Sequence, residues 1–198
     1  MNLKHGKSLS ITQGYLTGKL LIAMPYLEDS QFYHAVIYIC GHDKHGAIGL
    51  MINRALPSFT FTDLLKQLGI TVRSITDDCA IYYGGPVEVS RGFVLHTDDY
   101  TIDSTVSIDG DDRFGITSTL EILRALAHGS GPKKSLICLG YTGWGPGQLE
   151  QEVQENSWLV AEPTETLLFG TNADEMWRSS LASIKVDPLV LSIQYGHA

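Results

Sequence analysis

The densest run of chemistry-bearing residues in this 198-residue chain lies between Cys138 and Trp158, CLGYTGWGPGQLEQEVQENSW, where an apolar strand pattern meets a glycine-rich stretch that opens onto a helix. Gly140, Gly143, Gly145 and Gly147 predict a turn, and Tyr141 and Trp144 place two amphipathic rings on it. Such a turn would aim backbone N–H groups from the start of the helix at Gln148 towards a carboxylate or oxyanion. The spacing fits neither the G-x-x-x-x-G-K-[ST] phosphate loop nor the G-x-G-x-x-G dinucleotide turn. A tight strand-to-helix turn with its aromatics packed on the sheet therefore stands beside the ligand-binding reading. Cys138 is a candidate nucleophile if the helix N-terminus lowers its pKa, but its Leu-Ile-Cys-Leu setting favours burial, which raises it.

A second glycine turn, Gly84 and Gly85, precedes Glu88 and Arg91; the arginine would either pair locally or hold an anion through its planar fork. His96 beside Asp98 offers a base, yet no G-x-S-x-G elbow is present to complete an acyl-transfer triad. Cys40, His42 and His45 raise zinc, but a fourth ligand is missing and a hairpin turn with solvent-exposed histidines is the preferred reading. Asn53 and Arg54 close the following strand with polar groups that face a cleft or mark the surface. The candidate binding residues are thus Asn53, Arg54, Gly84, Gly85, Arg91, Tyr141, Gly143, Trp144, Gly145 and Gln148. An enzyme would have to use Cys138 or His96; no metal or cofactor is expected.

These residues need elements to position them. Short apolar runs at 19–24, 35–40 and 48–52 read as strands, the last two paired as a hairpin through GHDKHG. Leucines at helical spacing predict a helix over 62–68, with Thr60 or Thr62 as N-cap and Gly69 beyond its end. Strands are expected at 80–83, 93–96 and 105–108, and an amphipathic helix over 118–128 with Leu120, Leu123 and Ala127 on one side and Ile122 and Leu126 close by. A buried strand at 136–139, a helix at 148–156, a strand at 158–161, helices at 165–169 and 174–184 and an edge strand at 189–193 complete the series. Strands and helices interleave irregularly, which indicates a mixed α/β or α+β fold rather than a doubly wound sheet.

Composition bounds the function. With 43% hydrophobic residues the chain can bury one core, so a single domain over 1–198 is expected, with 1–14 as a flexible N-terminus. A net charge of -8 and scattered lysines and arginines disfavour direct contact with nucleic acid. The aspartates between Asp77 and Asp112 read as solvated turns rather than a metal cage. Three cysteines without a C-x-x-C pair, no signal-peptide pattern and no membrane-length apolar stretch predict a reduced, cytoplasmic protein.

Taken in order, LTGKLLIAMP at 16–25, CGHDKHGAIGLMINR at 40–54, YGGPV at 83–87, RGFVLH at 91–96 and GYTGWGPGQLEQE at 140–152 with Trp158 resemble the bacterial YqgE/AlgH family. The likeness spans nearly the whole chain, and departs from the family pattern at Gly41, where an acidic residue is common, and Ala55, where proline is common. It implies an α+β domain built on a strongly curved or closed mixed sheet flanked by helices. Members are often labelled transcriptional regulators, although no helix-turn-helix with a basic recognition helix occurs here. The resulting expectation is a non-enzymatic binding protein whose partner is a small anionic ligand or another protein.

Overall fold

Alternation of side chains along each strand divides the branched residues between two faces, and that division builds the molecule. A computed structural model describes residues 15–27, 31–71, 79–108, 111–189 and 191. In chain order the first elements are β1 (Leu20–Ala23), β2 (Val36–Asp43), β3 (Gly46–Met51), β4 (Ala55–Thr60), α1 (Phe61–Gln67), β5 (Ala80–Tyr83) and β6 (Val87–Thr97). There follow β7 (Val106–Ile108), β8 (Asp111–Thr117), α2 (Leu120–Ala127), β9 (Ser135–Trp144), α3 (Gln148–Gln154), β10 (Trp158–Ala161), α4 (Glu165–Phe169) and α5 (Ala173–Ser183).

The strands form one sheet in the order β10-β1-β2-β3-β9-β6-β8-β7, with β5 joined to β9 and β4 to β5. Only β5 and β9 run parallel among the described pairs. The first half of β9, Ile137 to Leu139, lies between β5 and β6, and its last residues, Thr142 to Trp144, pair with β3. One long strand therefore stitches two halves of the sheet, which curls as an α+β half-barrel.

Leu20, Ile22, Val36, Tyr38, Leu50, Phe93, Leu95 and Cys138 fill the inside of the curl, where α4 and α5 add Leu168, Met176, Trp177 and Leu181. Their strand neighbours point the other way. Leu21, Ala23, Ile37, Ile39 and Met51 meet Trp144, Leu149 and Trp158 beneath α3, while Val94 and Ile137 meet α1 and α2. Helix α1 starts in a capping box: Thr60 Oγ1 accepts from the Asp63 N–H, and Asp63 accepts from the Thr60 N–H at 3.2 Å. Those bonds hold the exposed Asp63 carboxyl below its ordinary pKa.

The structure corrects the expected elements in several places. Ile122, Leu123 and Ala127 form the buried stripe of α2, but Leu120 does not join it and is exposed. Strands β4 and β8 carried no clear signal, β4 because Pro57 interrupts it and confines it to the sheet margin. The expected edge strand at 189–193 is helical at Leu189 and Leu191; its remaining residues, like 1–14, lie outside the described residues. No described helix is long and apolar enough to cross a membrane.

The largest correction concerns the glycines of β9. The expected turn from Gly140 to Gly147 is strand as far as Trp144, because Ala47, Ile48 and Gly49 of β3 pair with Trp144, Gly143 and Thr142. The turn is confined to the three residues before α3. What the glycines permit is a close backbone crossing: a Cβ on Gly84 would lie 2.2 Å from the Gly140 carbonyl oxygen, and one on Gly85 2.3 Å from the Tyr141 backbone. Gly140 itself takes φ +72° at this crossing.

Candidate functional site

Extension of β2 to Asp43 and of β9 to Trp144 leaves a cleft of about 740 Å³ at the mouth of the curl. Its walls come from the β2–β3 hairpin (Cys40 to Ile48), the end of β9 (Tyr141, Gly143, Trp144), Gly145, Thr17, Val87 at the start of β6, and Val106 and Ser107 of β7. The volume lies within the range of about 300 to 1,000 Å³ usual for ligand sites. Of the residues expected from sequence to bind, Tyr141, Gly143, Trp144 and Gly145 line this cleft.

His42 was expected in a solvent-exposed turn. The ladder instead continues through His42 opposite Ala47 and Asp43 opposite Gly46, leaving only Lys44 and His45 in the turn, so His45 is exposed and the His42 side chain is fully buried. The Leu16 N–H donates to His42 Nδ1 at 3.0 Å, and the His42 N–H donates to Thr17 Oγ1 at 2.8 Å, pinning the chain before β1. Because Nδ1 accepts, the ring proton belongs on Nε2. Nε2 lies 3.3 Å from Glu150 Oε1, but off the line of a hydrogen bond, and Glu150 Oε2 is buried without a partner. Among the described residues no three His, Cys, Asp or Glu side chains converge to hold a metal ion.

The next acidic residue of α3 is bonded quite differently. Trp144 Nε1 and Trp158 Nε1 both donate to Glu152 Oε2 at 2.8 Å, and Gln148 Nε2 donates to Oε1 at 2.9 Å. The two indoles meet edge to face with centroids 6.1 Å apart. Gln148 also accepts the Gly145 N–H at 2.9 Å, which ties up that turn amide, while no side chain caps the start of α3 at Gly147. Glu152 was not singled out in the sequence; the available signal was its i+4 spacing from Gln148 on a helix between two tryptophans.

The remaining candidates are dispersed. Gly84 and Gly85 face backbone at the crossing, and Arg91 pairs with Glu88 at 3.0 Å while its guanidinium sits 5.0 Å over the Phe93 ring. Asn53 and Arg54 face a separate cleft of about 300 Å³ with His34, Trp177 and Arg178. There Asn53 accepts the Val36 N–H at 2.8 Å and donates to the His34 carbonyl at 2.9 Å, and Arg54 donates to the Tyr33 carbonyl at 3.1 Å. These bonds fix His34 between Tyr33 and Trp177, each ring centroid 3.9 Å away; burial, then Arg178, lowers its pKa.

Cys138 is fully buried, its thiol pushed up to about 12 by desolvation, and burial, then Cys138, raises Cys40 as well. His96 is fully buried, and desolvation lowers its pKa. Its Nδ1–H donates to the Thr97 carbonyl at 2.8 Å, and Nε2 accepts from Thr117 Oγ1 at 3.0 Å. Cys138 packs inside the curl with Phe93 and Leu95, whereas alternation puts His96 on the face of Val94. The two groups occupy opposite faces of the sheet and cannot act on one bound molecule.

The model of a family described as AlgH-like matches residues 20–189. The chain is 48% identical over 183 residues to a UPF0301 protein of Jannaschia sp., covering 92% of this chain and 95% of that one. It is 44% identical over 186 residues to a UPF0301 protein of Rhodospirillum rubrum, covering 94% and 96%. The solution structure of the AlgH protein from Pseudomonas aeruginosa superposes with a TM-score of 0.75 at 35% identity, over 99% of this chain and 100% of that one. A crystal structure from Corynebacterium diphtheriae shares the fold, with a TM-score of 0.72 at 18% identity over 97% and 94%.

Proposed function

Since the chain belongs to the AlgH-like family, its activity has to be sought in its own geometry, and we propose that it is a non-enzymatic binding protein whose working surface is the 740 Å³ cleft. The observation that carries this reading is the composition of the cleft wall. Two aromatic rings, a buried histidine, exposed Asp43 and His45, and the Ser107 hydroxyl converge on one concavity. That combination of apolar contact and a few orienting polar groups is what recognition requires. A regulatory role fits a protein of this kind when its partner is a ligand or another protein, since the charge of -8 opposes direct contact with DNA.

No observation favours the enzyme reading. Its two supports, Cys138 and His96, are sealed from the cleft and from each other, and neither has the accessible, activated environment that nucleophilic or general-base chemistry uses. The test is a thermal-shift screen of carboxylates, oxyanions, nucleotides and synthetic peptides against the wild type and the His45→Ala and Ser107→Tyr variants. Both positions are exposed at the cleft, so the fold should survive. Saturable stabilisation, about 2.7 kcal/mol at a hundredfold excess over Kd, should be lost or weakened in both variants. Stabilisation unchanged by both would place the binding elsewhere and overturn the proposal.

A further inference from the structure

The smaller cleft, of about 300 Å³, shares no lining residue with the larger one and is built around a histidine held rigidly in place. His34 takes φ +54°, a left-handed backbone uncommon for a residue with a side chain, which persists only where the surroundings over-determine it. Asn53 accepts the Val36 N–H at 2.8 Å and donates to the His34 carbonyl at 2.9 Å, clamping the backbone on both sides of Ala35. The ring is gripped as well. It stacks between Tyr33 and Trp177 at interplanar angles of 22° and 20°, and Trp177 is anchored by its Nε1–H, which donates to the Ala23 carbonyl at 2.8 Å. All of this fixes a polar edge that is left unused: neither ring nitrogen of His34 has a hydrogen-bond partner among the described residues.

The ionised side chains of this cleft are left open in the same way. Arg54 is half-buried and donates once, to the Tyr33 carbonyl at 3.1 Å, which fixes one arm of its guanidinium. Arg178, exposed on α5, makes no hydrogen bond or ion pair among the described residues. Asp174 stands one turn before it on the same helix, a spacing at which opposite charges commonly meet, and lines the cleft without pairing with either arginine. Glu175, the other carboxylate of that first turn, is exposed and outside the lining. The Asp174 N–H is already accepted by Asn172 Oδ1 at 3.0 Å, so the donors on offer are side chains and not the start of α5. Burial, then Arg178, lowers the His34 pKa, and at neutral pH the ring contributes an N–H without a further charge. The lining therefore carries one positive charge in excess.

We propose that this cleft is a second binding site, which takes the carboxylate of a small organic acid between Arg54 and Arg178 with the His34 ring as a third donor. Two planar guanidinium forks match the geometry of a carboxylate. A single negative charge neutralises the excess of the lining, whereas a phosphate monoester, with about -1.5 to -2 at pH 7, would leave a surplus beside Asp174. The net charge of -8 does not forbid an anion here, because exposed charges beyond about 8 Å are largely screened at physiological salt and the local excess decides. The volume lies at the lower end of the range usual for ligand sites, which restricts the acid to metabolite size. The rigid His34 lowers the cost of binding, since no ordering of that donor remains to be done.

The experiment is an NMR titration of the full chain labelled in its histidine rings, with the His34 signals identified by their proximity to the Trp177 ring. The probes are benzoate and lactate at fixed pH and ionic strength, with neutral benzamide and inorganic phosphate for comparison. At least one of the two acids should shift the His34 signals saturably, and benzamide should not. Arg178→Gln should weaken that binding at least about tenfold. Asp174→Asn should strengthen phosphate binding more than that of either acid, and His45→Ala, at the larger cleft, should change nothing. All three positions are exposed, and thermal unfolding of each variant checks that the fold is intact.

His34 signals unmoved by both acids, equal shifts with benzamide, or an affinity indifferent to Arg178→Gln in a folded variant would each overturn the proposal. So would phosphate binding more tightly than both acids to the wild type, which would make the site one for phosphate. Shifts that disappear in His45→Ala but survive Arg178→Gln would put the acid in the larger cleft, sustaining the reading of that cleft and refuting this one.

Discussion

Glu150 and Glu152 stand two residues apart on α3, and the sheet treats them in opposite ways. Glu152 accepts three hydrogen bonds from two indoles and an amide, and through them ties α3 to the ends of β9 and β10. Glu150 approaches the buried His42 ring without bonding it and leaves one oxygen with no partner. The first arrangement is complete and has nothing left to offer a ligand. The second is incomplete and stands beside His42, which lines the cleft. A buried polar group with all its bonds made serves stability, whereas one with a bond unmade marks where something else can act.

The contrast is broken most directly by one substitution made at both positions. Glu152→Gln should be the costly one. An amide cannot accept at both former carboxylate oxygens, so either Gln148 or the two indole N–H groups lose their acceptor, and the charge that strengthened all three bonds is gone. Losing one or two such charge-assisted bonds costs roughly 1.5 to 4 kcal/mol. Urea unfolding should show the loss as a lower midpoint with an unchanged slope, accompanied by altered fluorescence of Trp144 and Trp158. A cost under about 0.5 kcal/mol would mean that ring packing alone holds α3.

His96 extends the comparison to the two buried histidines. Ile102 N–H donates to Thr105 Oγ1 at 3.1 Å, the Thr105 and Thr117 hydroxyls share a bond at 2.8 Å, Thr117 Oγ1 bonds His96 Nε2, and His96 Nδ1–H donates to the Thr97 carbonyl. With the ring neutral, every proton in that chain has an acceptor. Desolvation holds the His96 pKa below its ordinary 6.5. The unfolded chain therefore binds the proton first as pH falls, so the stability from neutral His96 is fully present above 6.5 and declines as pH drops towards the folded value. His34 shifts in the same direction, and the measurement must separate the two. Unfolding free energy should fall less steeply below pH 6.5 in His96→Leu than in the wild type; parallel slopes would assign the effect to His34.

The order of elements was legible because the physics there is local: branched runs such as 19–24 and leucines at helical spacing in α1 need no distant partner to be recognised. Residues whose role depends on a neighbour far along the chain were read less well. Gly84 and Gly140 looked like turn formers because sequence shows their freedom and not the backbone crossing that uses it. The hairpin was foreseen, but its two extra rungs, which bury His42, follow from pairing across the whole sheet. Tyr141, Gly143, Trp144 and Gly145 line one concavity because they are adjacent in sequence, whereas Asn53 and Arg54 line another cleft. β7 gave only a faint strand signal, and sequence could not show that it ends the sheet.

The smallest expected effect is also the sharpest test of the opening contrast. Glu150→Gln keeps the shape of the side chain and removes its charge. The Glu150 carboxylate makes no hydrogen bond to the ring, so none is lost, and the coulombic part is that of a half-exposed contact. Stability should then change by less than about 1 kcal/mol in either direction, against several for the same substitution at Glu152. The two variants should diverge again at the cleft. Glu150→Gln leaves the fold intact yet alters the polar group behind His42, so a ligand oriented through that ring should bind with changed affinity. Stability loss at Glu150 equal to that at Glu152 would show that the His42 contact is structural after all, and the cleft would then be defined by its outer wall alone.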